Sequence, residues 1–177
     1  MTTSAPRAGT KAERHAIIQF LQHAHRRAEG HLEDFEAALE RGMIDEDPCE
    51  RAAAELRLHL YTEEEILFPC ASGSLAGAIA GLKDQHGRLS DLLGEFQALV
   101  RERAAIPRIR QALFALNNLL AAHSATEDLG VYPDLVSALG TGKARALLRE
   151  VDRADLPSGW ICSARRRPSG ESQAVSN

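Results

Sequence analysis

The chain has 177 residues, of which 44% are hydrophobic and 26% are charged, and its formal net charge at pH 7 is -4. This length suits one domain that buries its core without disulfide bonds. The mild negative charge argues against binding to nucleic acid or an anionic membrane, and no apolar run reaches the roughly 18 residues that span a bilayer.

Helix-favouring residues dominate the chain, and no segment alternates Val, Ile or Thr with polar residues over the length of a strand. We therefore predict an all-α protein. Residues 1–11 are expected to form a flexible N-terminus. The first helix is predicted from about Ala12 to Arg41, with Gly42 as its stop. Its apolar stripe comprises Ile17, Leu21, Ala24, Ala28, Leu32, Phe35 and Leu39.

Proline and glycine divide the remainder into four further helices, predicted at about 48–68, 75–103, 107–129 and 143–153. Asp47 and Pro48 give a start signal for the second helix, and Pro69 closes it. Gly130 and Pro133 are expected to end the fourth helix.

Short connections between long helices make sequential neighbours antiparallel, which predicts an up-down-up-down four-helix bundle over residues 12–153, with the fifth helix as a short C-terminal addition. Residues 154–177 are rich in Ser, Arg, Pro and Gly, so a mobile, disordered tail is expected there. Within it, Trp160 and the basic run 165–167 are the one candidate for a surface that a partner reads, although a solvated end is the simpler interpretation.

The cysteines and the N-terminus bear on the cellular compartment. Cys49, Cys70 and Cys162 are odd in number and form no CxxC, so neither a disulfide framework nor a cysteine zinc site is expected. The first residues, MTTSAPRAGT, lack the apolar segment of a secretory signal. We expect a cytoplasmic protein.

Two segments of the chain repeat one pattern. HLYTEEEILFP spans residues 59–69 and HSATEDLGVYP spans residues 123–133. Each begins with His, and Glu, an aromatic residue and Pro follow after four, nine and ten positions. Residues four apart share a helix face, so His59 with Glu63, and His123 with Glu127, can each aim at one point. Imidazole and carboxylate are common ligands of Fe, Zn and Mn.

Further ligands should lie at the same depth in the bundle. Counting about 1.5 Å per residue, the level of the two pairs corresponds to His86 on the third helix. On the first helix, His25 and His31 lie near that level on opposite edges of the apolar stripe, while His15 and His23 point away and are expected to be solvated. Depth and angle leave both His25 and His31 open.

Residues 13–135 resemble the hemerythrin-like HHE cation-binding domain in this histidine and glutamate pattern, and in the apolar closures EILFP and GVYP. The resemblance implies a four-helix bundle around a non-haem pair of iron ions with an oxo or hydroxo bridge. The stretch HRRAEGHLEDFEAAL is similar to the first helix of the family, which favours His25 as the ligand and leaves His31 at the edge of the core.

Carried onto this sequence, the resemblance implies that His25 and His59 hold one iron, that His86 and His123 hold the other, and that Glu63 and Glu127 bridge them. The oxygen-carrying hemerythrins have a second histidine where this chain has Ser90, and an Asp, spaced one residue further on, where it has Glu127. The chain is more similar to the four-His, two-Glu bacterial and sensor-type members, which weakens the case for reversible oxygen storage.

Residues beside the predicted ligands are given ordinary roles. Glu64 and Glu65 are expected to be solvated, although either could replace the ligand that Ser90 does not supply. Tyr61 is expected to point away from the metals and Tyr132 to be a packing residue. The sequence identifies no catalytic acid.

Three functions therefore stay open. The first is a dinuclear metal-binding protein that binds or senses O2, NO, peroxide or iron, with a protein partner or a second copy reading its state. Another is a di-iron enzyme of the oxidase or peroxide-decomposing, catalase-like type. The third, a bundle without metal, is disfavoured because six ionisable groups in one core are costly without a cation.

Overall fold

The computed structural model describes residues 8–71 and 73–166, and every regular element in this part of the chain is helical. The α-helices are α1 Ala8–Glu40, α2 Glu46–Tyr61, α3 Ala76–Arg101, α4 Ile106–Thr126, α5 Tyr132–Ser137 and α6 Thr141–Asp152. The all-α prediction is confirmed. Residues 8–11 belong to α1 and not to a flexible terminus, and residues 1–7 lie outside the described part. Among the described helices, none is both long and apolar enough to cross a membrane.

The ends of α1 and α2 show why these helices begin and end where they do. Gly42 follows α1 with φ of 77°, a left-handed conformation that glycine adopts without strain. The side chain of Asp45 caps α2 by accepting a hydrogen bond of 3.2 Å from the backbone N–H of Asp47. Asp47, which the sequence pattern would place at the N-cap before Pro48, instead lies in the first turn of the helix.

Both repeats continue into π-helical turns, Thr62–Leu67 after α2 and Glu127–Val131 after α4. Phe68 N–H donates to the carbonyl of Glu63, and Tyr132 N–H donates to that of Glu127, each five residues back. A proline follows each aromatic, cannot donate, and would clash with the carbonyl four residues before it. The aromatic-Pro pair therefore favours a widened turn, a feature frequent at functional sites.

Gly130 and Pro133 predict the end of the helical segment, but the chain stays helical after the second π turn and continues into α5. Pro133 lies in the first turn of α5, where its missing N–H would be unpaired in any case. Gly130 lies inside the π turn. Pro133 therefore lies at the start of α5 and does not end the helical segment.

Helix α1 packs against three helices, α2, α4 and α6. Helix α3 packs against both α2 and α4. The buried apolar side chains form two clusters, one around Phe35 and Phe96 and the other around Leu21, Leu67 and the helices α5 and α6. Along each of the four long helices a histidine lies where one cluster gives way to the other. These histidines are His25, His59, His86 and His123.

The chain after α6 packs against the helices, at variance with the disordered tail expected from residue 154. We call residues 155–166 the C-terminal strap. Cys162 in the strap is 1% exposed, and a short 3-10 helix, Ser163–Arg165, contacts α3. Gly87 permits this contact, because a Cβ at that position would lie 2.9 Å from Ala164 Cβ. Residues 167–177 lie outside the described part.

Candidate metal centre

The six side chains predicted as ligands come together at the junction of the two apolar clusters. His86, His123, Glu63 and Glu127 are 0% exposed, and His25 and His59 are 4% and 3% exposed. Helix α1 brings His25 to this point, while His31 is only half-buried and His15 and His23 are exposed. The structure therefore places His25, and not His31, beside the other five residues.

One half of the centre is formed by the imidazoles of His25 and His59. Their Nε2 atoms lie 2.9 Å apart. Glu127 faces this half with Oε2, which lies 3.0 Å from His25 Nε2 and 3.7 Å from His59 Nε2. Two imidazole nitrogens and a carboxylate oxygen thus converge on one small volume.

The other half contains His86 and His123. Glu127 faces it with its second oxygen, Oε1, which lies 3.0 Å from His123 Nε2 and 4.0 Å from His86 Nε2. Glu63 Oε2 lies between the halves, 3.2 Å from His86 Nε2 and 3.4 Å from His59 Nε2. Both carboxylates therefore lie between the two halves of the centre, and each contacts imidazoles from both.

Several of these inward-facing atoms have no hydrogen-bond partner among the residues that the structure describes. The unpaired atoms are Glu63 Oε2, His86 Nε2, His123 Nε2 and Glu127 Oε1. Four of the residues, His25, His59, His123 and Glu127, present ligand atoms within 4.8 Å of one another, and a second such group is Glu63, His86, His123 and Glu127. Buried polar atoms without partners are costly, and a cation would satisfy them. The donor set fits iron or manganese and also tolerates zinc.

The charges of the two carboxylates dominate the electrostatics of the centre. Burial alone would lower the pKa of His86, but the nearby carboxylates of Glu127, Glu63 and Glu64 outweigh burial and raise the pKa to about 11. The pKa of His25 is also raised, since contact with Glu127 outweighs burial. Burial would raise the pKa of Glu127, but the charge of the adjacent His123 outweighs burial and holds the pKa well below its usual value. These carboxylates favour a positive charge at the centre.

Two of the four imidazoles are held from behind by a second side chain. His86 Nδ1 lies 2.8 Å from Glu64 Oε1, and His123 Nδ1 lies 3.1 Å from Gln85 Oε1. Such partners orient a ligating imidazole and increase its basicity. Within the described residues, the Nδ1 atoms of His25 and His59 have no hydrogen-bond partner.

Glu64 is not the solvated residue that the sequence suggested, since it is 5% exposed. The wide π turn lets Glu63 and Glu64 both face inward, one toward the centre and the other behind His86. Burial would raise the pKa of Glu64, but hydrogen bonds from His86 and the backbone of Ser163 lower it overall. Its neighbour Glu65 is exposed, as expected. An acidic residue directly after each predicted ligand glutamate, Glu64 in one repeat and Asp128 in the other, was the only sequence signal available.

Tyr132 also has a role that its expected packing function did not include. Its hydroxyl lies 2.6 Å from Glu63 Oε1 and 3.0 Å from Glu127 Oε2. Burial and the two carboxylates raise its pKa well above the usual value, so the hydroxyl keeps its proton. The signal was present in the repeat, because the aromatic position is the same in both copies. Tyr61, as expected, points elsewhere and contacts Trp160.

The sequence matches the model of the hemerythrin HHE cation-binding domain over residues 16–135, with a second, overlapping match over residues 77–156. The chain belongs to this family. Searches among curated proteins and among solved structures found no significant match. Membership of the hemerythrin HHE family implies cation binding, and the buried histidine and glutamate cluster is a site that could hold the metal.

Proposed function

We propose that this protein binds two iron ions and uses them to bind or sense a small molecule such as O2, NO or peroxide, or to respond to iron itself. The observation that carries the proposal is the position of Glu63 and Glu127 between two pairs of buried imidazoles. We place this centre in an up-down-up-down four-helix bundle of α1–α4. The packing of each helix against its two neighbours supports that arrangement.

Iron in such a donor set supplies a redox couple and a position for a small ligand. The chain's own residues hold and shield it. His25 and His59 would hold one ion, His86 and His123 the other, and the two glutamates would offset the positive charge. The apolar clusters on both sides keep water from the centre. They contribute the low dielectric that strengthens every charge interaction within it.

Binding or sensing is favoured over catalysis by the contacts behind His86. Through Glu64 this histidine is connected to the backbone of Ser163 in the C-terminal strap. A change at the centre therefore has a route of direct contacts to the surface, where a partner can read it.

The test is anaerobic reconstitution with Fe(II), followed by elemental analysis and optical spectra before and after O2 or NO is added. We expect two irons per chain and a spectral change on adding the small molecule. Fewer than one metal per chain after reconstitution would contradict the proposal.

A di-iron enzyme that decomposes peroxide is the second candidate, because Tyr132 places a hydroxyl proton between the two carboxylates. In this case the loaded protein would evolve oxygen from peroxide at a steady rate. Tyr132→Phe would slow that reaction while leaving the iron content and NO binding intact. A wild-type protein that takes up NO but leaves peroxide unchanged would exclude this alternative.

A further inference from the structure

The C-terminal strap contacts the helices immediately behind His86. Trp160 Nε1–H donates to Glu65 Oε1 over 3.0 Å, and Arg166 pairs with the same carboxylate. Arg165 pairs with Asp91 on α3. Cys162 Sγ lies 3.4 Å from Ser90 Oγ on α3.

One hydrogen bond joins the strap directly to the carboxylate that orients His86. The backbone N–H of Ser163 donates to Glu64 Oε2 over 2.7 Å, while Glu64 Oε1 contacts His86 Nδ1. The bond joins residues 99 positions apart in the chain. Glu64 is buried with both oxygens engaged, so its position depends on the strap on one side and on His86 on the other.

We propose that Glu64 is a positioning residue for the metal centre and that the docked C-terminal strap holds it against His86, so that undocking the strap loosens the metal bound there. This inference rests on the proposed function, and it adds a regulatory element to it. By thermodynamic linkage, a strap that helps to retain metal is itself held more firmly when metal is bound.

The chain contains its own reporters of strap docking. Trp160 is the only tryptophan, half-buried against the ring of Tyr61 at 5.6 Å. Cys162 is 1% exposed and would react with a thiol reagent only when the strap moves. Cys49 is buried, and burial raises its pKa to about 12, so it contributes little background. A Cys70→Ser background removes the remaining thiol.

Gly87→Ala displaces the strap with one methyl group. Alanine suits the interior of α3 better than glycine does, and the close contact it creates is with Ala164 Cβ. The matched control is Gly94→Ala in the same helix, where an added Cβ meets nothing within 4 Å. Gly87 adjoins His86, so an alanine there could affect His86 directly. The double variant Gly87→Ala/Ala164→Gly separates the two effects, because it removes the contact with the strap and keeps the alanine beside His86.

Ser163→Pro tests the hydrogen bond itself. Proline has no N–H, and Ser163 opens a 3-10 helix after Cys162, whose φ of -62° and ψ of 154° are compatible with a following proline. Ser163→Ala is the control, because it keeps the backbone N–H and removes only the hydroxyl.

Four quantities are measured in the full-length iron-loaded protein: iron per chain, the rate of iron transfer to a chelator, the rate of Cys162 labelling and the emission wavelength of Trp160. Loss of a partner behind a ligating histidine weakens metal binding about 10- to 100-fold. We expect iron release faster by about that factor in Gly87→Ala and Ser163→Pro, with wild-type rates in both controls and in the double variant. Cys162 labelling should rise in Gly87→Ala, with a red-shifted Trp160 emission, and should be faster in metal-free than in loaded wild type.

Two results would overturn the inference. The first is wild-type iron release in Gly87→Ala and Ser163→Pro. The second is fast release that persists in the double variant, which would locate the effect in the alanine beside His86. Failure of the proposed function is a separate result, because it appears as missing iron in the wild type before any variant is compared.

Discussion

His86 and His25 occupy corresponding places in the two halves of the centre, yet their surroundings differ. Each is the single histidine that its helix brings to the site. An aromatic residue from the repeats stacks on each: Phe68 on His86, with centroids 5.8 Å apart, and Tyr132 on His25, with centroids 6.4 Å apart. Each copy of the repeat thus supplies a His-Glu pair to the centre and an aromatic ring that stacks on the imidazole of another helix.

The difference lies in the residue that follows each predicted ligand glutamate. After Glu63 comes Glu64, which reaches His86 Nδ1. After Glu127 comes Asp128, one methylene shorter, and both its Oδ1 and His25 Nδ1 are buried without a hydrogen-bond partner in the described part of the chain. The comparison teaches that a symmetric set of predicted ligands can have an asymmetric environment. If each half holds a metal, as we propose, we expect the His86 half to hold it more firmly.

The sharpest test removes each imidazole from the metal-free protein. His86→Ala leaves Glu64 and Glu63 buried beside a missing partner, a change that costs about 3–5 kcal/mol of unfolding free energy. His25→Ala removes no such pair behind the ring, so we expect about 1–3 kcal/mol. Urea unfolding measures both values. Equal losses would mean that the two halves are equivalent without metal.

The variant His25→Ala, with His31→Ala as its control, also tests which histidine of α1 binds the metal. We expect His25→Ala to reduce iron loading and His31→Ala to leave it unchanged, because only His25 lies beside Glu127 and His59. A reversed order would assign the ligand to His31.

The carboxylates give the next largest effect. A metal that binds only the folded chain at about 1,000 times its Kd raises the unfolding free energy by about 4 kcal/mol. Glu127→Gln should lose most of this gain, since Glu127 contacts all four imidazoles, and Glu63→Gln should lose less, since Glu63 contacts two. Melting temperatures with and without iron measure the gain, with exposed Glu95→Gln as the control.

The sequence repeat alone predicts equal losses for Glu63→Gln and Glu127→Gln and none for Glu64→Gln. The contacts around Glu127 and the burial of Glu64 predict otherwise. If Glu63→Gln and Glu127→Gln lose the metal-dependent gain equally and Glu64→Gln loses none of it, the prediction from the sequence repeat is correct and the prediction from the contacts is wrong.

Much of the fold and of the candidate site follows from periodicity and counting. All seven residues of the predicted α1 stripe are buried, because a 3.6-residue period fixes which face meets the core. His86 was found by depth alone, because helical rise is uniform along α3. The choice of His25 over His31 needed the resemblance, since angle and depth could not separate them.

The features that the sequence did not reveal are those that depart from a regular helix or join distant segments. Glu64 was placed on the wrong face because the α-helical period does not hold through the π turn at Thr62–Leu67. Strap docking depends on a contact between Ser163 and Glu64, which no local pattern reports. Tyr132 was judged by its position after a helix that in fact continues.

The aromatic rings that stack on His25 and His86 differ by the hydroxyl of Tyr132. We expect removal of this hydroxyl to change the unfolding free energy less than His86→Ala does. Tyr132→Phe removes a donor from Glu63 and Glu127, and hydrogen bonds to charged groups contribute about 1.5–3 kcal/mol. The metal-free protein should lose about that much unfolding free energy in urea. Phe68→Tyr is the matched change, and it should also destabilise, because the added hydroxyl would be buried beside His86. Unchanged stability in Tyr132→Phe would show that the hydroxyl contributes nothing there.

The smallest expected effect is on the rate of iron release when both halves of the centre are given a glutamate behind the imidazole. Asp128→Glu adds one methylene and lets the carboxylate approach His25 Nδ1, whose pKa is already raised by contact with Glu127 and, less, by Asp128. A new hydrogen bond of about 1 kcal/mol corresponds to roughly fivefold slower iron release from this half. The reciprocal change, Glu64→Asp, should speed release from the His86 half, and exposed Asp134→Glu should leave both rates unchanged. The measurement is the two-phase transfer of iron to a chelator. If Asp128→Glu speeds release while Glu64→Asp has no effect, the length of these two side chains does not explain the asymmetry of the centre.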